Sequence, residues 1–177
     1  MAFTQQNNDG TVDGANAYTD PATVRTYWSD RGVDLTARTD QELQAAIVNA
    51  TTYLDGRYRW VGYQLRRLQG TQWPRGGVTS FLRGLPPALV TATCMLASRA
   101  LSGKPLMPDP TFDASGGQVV ESLKEVGPIK VQTKFNASQS TSASAKTPDY
   151  PEVTLTLQSA GLIGSGNSGN SGELGRA

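Results

Sequence analysis

The segment between Gly56 and Pro108 carries Arg57, Arg59, Arg66, Arg67, Arg75, Arg83, Arg99 and Lys104, and not one aspartate or glutamate. The whole chain has a formal charge of only +1, so the charge is segregated along the sequence. Tyr58, Trp60, Tyr63 and Trp73 are interleaved with the arginines. Guanidinium groups bind phosphates and aromatic rings stack on bases, so the combination suits a nucleic-acid strand. The same guanidiniums suit the carboxylates of a neighbouring subunit, which their planar fork can pair bidentately. The plainer of the two readings is a subunit interface. In it Arg57, Arg59, Arg66, Arg67 and Arg75 pair with carboxylates of a neighbour, while Trp60 and Trp73 pin an irregular loop to the core.

Other chemistry is hard to build from this composition. With no histidine and a single cysteine, a Ser-His-Asp triad, a Cys-His pair and a Cys/His zinc site are excluded. No intrachain disulfide can form. Cys94, between Thr93 and Met95 in an apolar stretch, reads as an inert buried thiol. Asp109 and Asp113 are too sparse for a calcium site, and no Gly-Lys-Ser/Thr phosphate cradle is present. The expectation is a protein that is not an enzyme and has no catalytic residue, cofactor, metal or small-molecule substrate.

The elements that must hold the arginine segment are mostly helical. Asp20-Pro21 opens a first helix with Val24, Tyr27 and Trp28 on one face, and Gly32 stops it. Thr39-Asp40-Gln41-Glu42 is a capping box, followed by Leu43, Ala46, Ile47, Ala50, Tyr53 and Leu54 at helical spacing up to a stop at Gly56. Residues 57–85 are broken by glycines and prolines, with room for one helical turn around Gln64–Leu68. Pro86-Pro87 opens a third helix to about Ser102, apolar nearly all round and therefore central. Leu43, Ile47, Ala50, Leu54, Leu89, Ala92, Leu96 and Ala100 should form the main helix–helix contact. Alternating residues on either side of Gly127-Pro128 predict a β-hairpin at 119–135, with one apolar face and one charged face.

The fold expected is a small, mainly α bundle with a short antiparallel β-hairpin and flexible N- and C-terminal segments. Residues 1–17 read as a flexible arm, 18–135 as the helical domain, 136–147 as a Ser/Thr/Ala linker, 148–163 as a C-terminal docking segment with a short helix, and 164–177 as a flexible tail. No stretch reaches the ~18 apolar residues of a membrane span, so no membrane partner is expected.

Tyr53-Leu54-Asp55-Gly56-Arg57-Tyr58-Arg59-Trp60, then Trp73-Pro74-Arg75, an Ala-rich helix ending Ala100-Leu101-Ser102-Gly103, and Val126-Gly127-Pro128-Ile129 resemble the head–tail connector (adaptor) proteins of tailed bacteriophages. Members of that family are often described as DnaT-like single-stranded-DNA-binding proteins. The resemblance spans roughly residues 18–163. It implies a structural virion protein at the head–tail junction, assembled in the host cytoplasm. Its adaptors form a ring, typically of twelve subunits, under the portal. The implied partners are copies of the chain itself, the portal protein, the next connector or tail protein, and genomic double-stranded DNA in the channel; Arg57, Arg59, Arg66, Arg67 and Arg75 would then divide between inter-subunit pairs and the rim of that DNA channel. The resemblance also implies a C-terminal helix reaching towards the portal, with Tyr150, Val153, Leu155, Leu157, Leu162 and Ile163 as contacts. A ring needs two different, complementary faces, and Asp30, Asp34, Asp40, Glu42, Glu121 and Glu125 are candidates to answer the arginines. The runner-up is a single-stranded-DNA-binding, primosome-type protein.

Overall fold

The computed structural model describes residues 2–108, 119–124, 131–135 and 148–164. The chain is mainly α with a short antiparallel hairpin and divides into two units, Met1–Leu106 with Asp149–Ala177, and Met107–Pro148.

In the first unit α1 spans Pro21–Ser29, α2 Asp40–Arg57, α3 Pro87–Leu101 and α4 Pro151–Ser159. Asp20 caps α1 by accepting from the Thr23 N–H at 3.0 Å. The capping box of α2 forms in both directions: Thr39 Oγ1 accepts from the Glu42 N–H at 3.2 Å, and Glu42 accepts from the Thr39 N–H at 2.8 Å. Gly56 does not end α2, which runs on through Arg57 to a cap at Tyr58. One glycine costs a helix only about 1 kcal/mol, and Tyr53 and Leu54, both fully buried, hold the last turn down.

α2 and α3 form the principal helix pair. Leu43, Ile47, Ala50 and Leu54 from one, and Leu89, Ala92 and Leu96 from the other, are fully buried, with Ala100 at the margin. The stretch Ser80–Leu101 reaches the length and mean hydropathy of a membrane span, although the sequence reading found none. It is not one helix but a 3-10 turn at Ser80–Leu82, the non-helical residues 83–86 and the fifteen residues of α3, whose apolar side chains are the centre of this core. α1 is tied to α3 by the Trp28 indole N–H, which donates to the Cys94 carbonyl at 2.9 Å. Leu96→Ala is expected to cost about 3 kcal/mol through lost burial and a residual cavity. Chemical denaturation checks it, and a midpoint equal to wild type would remove Leu96 from the core.

Two segments depart from expectation. Residues 2–17 are not a free arm but a strap over the body. Gln6 and Asn16 bond backbone to backbone with Ala17 and Thr4 at 2.9 Å, and Ala15, Ala17 and Gln6 are buried. The strap looks unfoldable by composition because its amides serve as partners for buried backbone groups, where apolar side chains would be useless. Gln6 Nε2 donates to the Gln69 carbonyl at 2.5 Å, and Asn8 Oδ1 accepts from the Leu85 N–H at 3.0 Å.

The second departure is α4, which packs on its own subunit. Val153, Leu157 and Leu162 are fully buried and Ile163 nearly so; Tyr150 is half-buried, and Leu155 alone of the six expected docking contacts is exposed, at 63%. Val61 N–H donates to the Leu162 carbonyl at 3.1 Å, and Tyr58 Oη lies 2.7 Å from Thr154 Oγ1. Val153 and Leu157 on α4, with Leu162 and Ile163 just beyond it, bury apolar surface that a swinging segment would leave in water.

In the second unit β3 (Val119–Lys124) pairs antiparallel with β4 (Val131–Phe135). Val119 lies opposite Phe135 and Glu121 opposite Lys134, with a register irregularity between Val119 and Glu121. Leu123 comes opposite Gln132 and Lys124 opposite Val131. The expected Gly127-Pro128 turn, Asp109, Asp113, Glu125, the linker at 136–147 and the tail beyond Gly164 lie outside the described residues.

Candidate assembly surface

The loop between α2 and α3 is built on a two-residue ladder. β1 (Tyr63–Gln64) pairs antiparallel with β2 (Arg75–Gly76); the helical turn expected at Gln64–Leu68 is absent because Gln64 pairs across this ladder. Gln69, fully buried, holds the loop together. Its side chain donates to the carbonyls of Thr71 at 2.8 Å and Pro74 at 3.0 Å, and accepts from the Arg66 N–H at 2.9 Å. Gly62 to Leu68 are all exposed.

The expected interface arginines separate by role. Arg75 is internal: Nε donates to the Val61 carbonyl at 2.6 Å, Nη2 to the Gly62 carbonyl at 2.7 Å, and Nη1 to Gln72 Oε1 at 2.9 Å. It clamps the neck of the ladder through these bonds. Arg57 lies 3.9 Å from Asp149 and over the Tyr58 ring, so it fastens the start of α4. Arg66 reaches back to the Asp9 carbonyl at 3.1 Å and has no ion pair among the described residues. Arg59, Arg67 and Arg83 are exposed. Arg99 pairs with Glu152 at 3.3 Å.

Trp60 and Trp73 meet edge to face, with ring centroids 6.0 Å apart. They end a column that continues through Tyr58 and Tyr53 to Tyr150. Trp73 is fully buried and Trp60 half-buried. Both therefore sit where a loop anchor must, and Trp73 cannot stack on a base without unfolding. Cys94 is fully buried, and burial pushes its thiol up to about 12, a state with no nucleophilic thiolate near neutral pH.

Sequence reasoning missed the support beneath this loop. Tyr18 donates its hydroxyl to Asp55 Oδ1. The same hydroxyl accepts from the N–H groups of Gln72 at 3.0 Å and Trp73 at 3.2 Å, and Asp55 Oδ2 accepts from Gln72 N–H at 3.1 Å. One phenol thus joins the strap, α2 and the tryptophan loop. A signal existed: Ile47, Thr51 and Asp55 follow at intervals of four, which puts a carboxylate on the core face of α2.

Burial raises the Asp55 carboxyl to about 6, although the Tyr18 hydroxyl, the Gln72 N–H and Arg75 pull the other way. The folded protein then holds this proton more tightly than the unfolded chain. The associated stability is fully present below the ordinary carboxyl value of 3.8 and is lost as pH rises through about 6. For a partly solvated carboxylate this amounts to about 2 kcal/mol. Asp20, Asp34 and Glu42, whose carboxyls are held low, act in the opposite direction as pH falls. The expected result is that wild type loses stability relative to Asp55→Asn between pH 4 and pH 7. Parallel stability–pH curves for the two proteins would dismiss the buried proton.

The surface around the loop is apolar as well as basic. Tyr63 is 64% exposed, Leu65 46%, Leu68 64% and Phe81 75%. Exposed apolar side chains thus stand on the same segment as the exposed arginines. A family model described as "Putative DnaT-like ssDNA binding protein" matches residues 1–177, the entire chain. No curated protein and no solved structure matches it.

Proposed function

The chain belongs to the DnaT-like ssDNA-binding protein family, and from that premise we propose that it is a structural assembly subunit without catalytic activity. In this reading it is a head–tail connector of a tailed bacteriophage. Copies form a ring, dodecameric as in the adaptors it resembles, beneath the portal, extend the channel for genomic double-stranded DNA and join the capsid to the next connector or tail. The observation that carries the reading is the exposed Tyr63, Leu65, Leu68 and Phe81 on the arginine segment while Trp73 is buried. An assembly contact needs such apolar area, whereas a channel for sliding DNA must not grip it.

The family's description favours a second reading, single-stranded-DNA binding. The exposed rings of Tyr63 and Phe81 with Arg59, Arg67 and Arg83 are the groups that would serve it. Two measurements on the full chain separate the readings. The assembly reading expects rings by electron microscopy or native mass measurement, alone or with portal, and weak binding of free oligonucleotides. Sub-micromolar binding of single strands at physiological salt, with a steep salt dependence and no ring, would hand the function to the second reading.

A further inference from the structure

We propose that the Leu65–Leu68 loop of one copy docks onto the depression beside α1 of the next copy, with Arg66 and Arg67 meeting Asp30 and Asp34. The inference rests on the assembly reading and names the two surfaces it would join.

The loop is a preformed ligand. Leu65 N–H donates to the Pro74 carbonyl at 3.3 Å, Gly14 N–H to the Leu68 carbonyl at 3.0 Å, and Gln69 N–H to the Arg66 carbonyl at 3.4 Å. Its backbone is thus fixed from three sides while Leu65, Arg66, Arg67 and Leu68 all project into solvent. A rigid segment loses little further entropy when it binds. Its cations are also available, since Arg66 donates to a carbonyl and no ion pair among the described residues engages Arg66 or Arg67.

The receiving surface is an open depression of about 280 Å³ bounded by α1 and the residues that follow it, with Asp30, Asp34 and Leu35 in its wall. Two cations near it are already paired, Arg25 with Asp40 at 2.6 Å and Arg38 with Glu42 at 3.3 Å, while Arg31 lies over the Tyr27 ring at 3.6 Å. Asp30 and Asp34 have no ion pair among the described residues. The Thr36 N–H, 2.8 Å from Asp34 Oδ1, holds the Asp34 carboxyl below its ordinary value, so it is charged throughout the physiological range. Two arginines flanked by leucines on one surface answer two carboxylates beside a leucine on the other. The surfaces differ, so the contact is head-to-tail, the kind that closes into rings.

The test is a charge exchange on the full chain, read by mass photometry across a concentration series. Arg66→Glu/Arg67→Glu and Asp30→Lys/Asp34→Lys should each weaken self-association at least about tenfold. Arg67→Glu alone, which spares the Arg66–Asp9 bond, should weaken it in the same direction with the melting temperature unchanged. Mixing the two double variants sets the reversed loop of one against the reversed depression of the other, and the unaltered loop of the second against the unaltered depression of the first, so alternating copies have every contact complementary and the mixture should assemble as wild type does. Wild type that assembles while all these variants assemble equally well, or a mixture that stays apart, overturns this docking pair and leaves the assembly reading standing. Wild type that stays monomeric at every concentration and beside portal overturns both.

Discussion

A chain that stops after Tyr150 is expected to lose cooperative folding altogether. The cut removes Val153, Leu157, Leu162 and Ile163, all buried in the body of the first unit. Burying each such side chain stabilises by roughly 1.5–3 kcal/mol. Together they approach the 5–15 kcal/mol that typically separates folded from unfolded domains. The cut also opens the aromatic column, because Tyr58 loses Thr154 and Trp60 loses its bridge to Ile163. A chain ending after Gly164 keeps α4 and Ile163, and should melt close to wild type. Urea titration followed by circular dichroism compares the two. A Tyr150-terminated chain with a wild-type-like transition would show that α4 is separable after all.

The contrast between α4 and its sequence reading marks what local pattern can reach. Start signals were legible because each is a contact within one turn: Asp20 with Thr23, Thr39 with Glu42, and proline at the first position of α1, α3 and α4. The α2–α3 pairing followed from two apolar stripes of matching length. What α4 packs against did not, since Val153 and Leu157 are equally apolar against a neighbour or against their own core. Burial depends on partners about a hundred residues away, as with Tyr58 and Thr154. The strap was illegible for a different reason. Its cohesion comes from amide side chains and backbone groups, and Gln6 meets Gln69 and Thr71 more than sixty residues on. Hydropathy does not register such bonds. Among the arginines, sequence found the charged segment, but charge alone did not distinguish Arg75, spent on the carbonyls of Val61 and Gly62, from Arg67, which faces solvent.

Gly70→Ala should be one of the most damaging single substitutions in the loop, with a loss of about 5 kcal/mol. Gly70 has φ +79°, and a Cβ there would lie 2.4 Å from the Ala15 carbonyl oxygen, 2.7 Å from the Ala15 nitrogen and 2.8 Å from the Gly14 carbonyl carbon. All three are backbone atoms, so no side chain can rotate out of the way. Left-handed backbone alone costs alanine roughly 1–2 kcal/mol. Gly32→Ala isolates that part, since Gly32 has φ +76° and open space where the Cβ would go. The remainder comes from the strap, which must lift. Lifting breaks the Gly14–Leu68 bond and the bonds from Gln6 to Gln69 and Thr71, and each buried group left without a partner costs roughly 1–3 kcal/mol. Two readouts are expected to move together. The melting temperature falls well below that of Gly32→Ala, and limited proteolysis begins to cut within residues 2–17. Equal melting temperatures for the two variants would mean that the strap accommodates the methyl group and does not brace the loop. If the strap does lift, Leu68 loses the bond that fixes its carbonyl, and the exposed Leu65–Leu68 segment loses one of its three backbone anchors. Self-association should then weaken even where the helical core survives, because a loop that has to be ordered on contact binds less tightly than one already held in place.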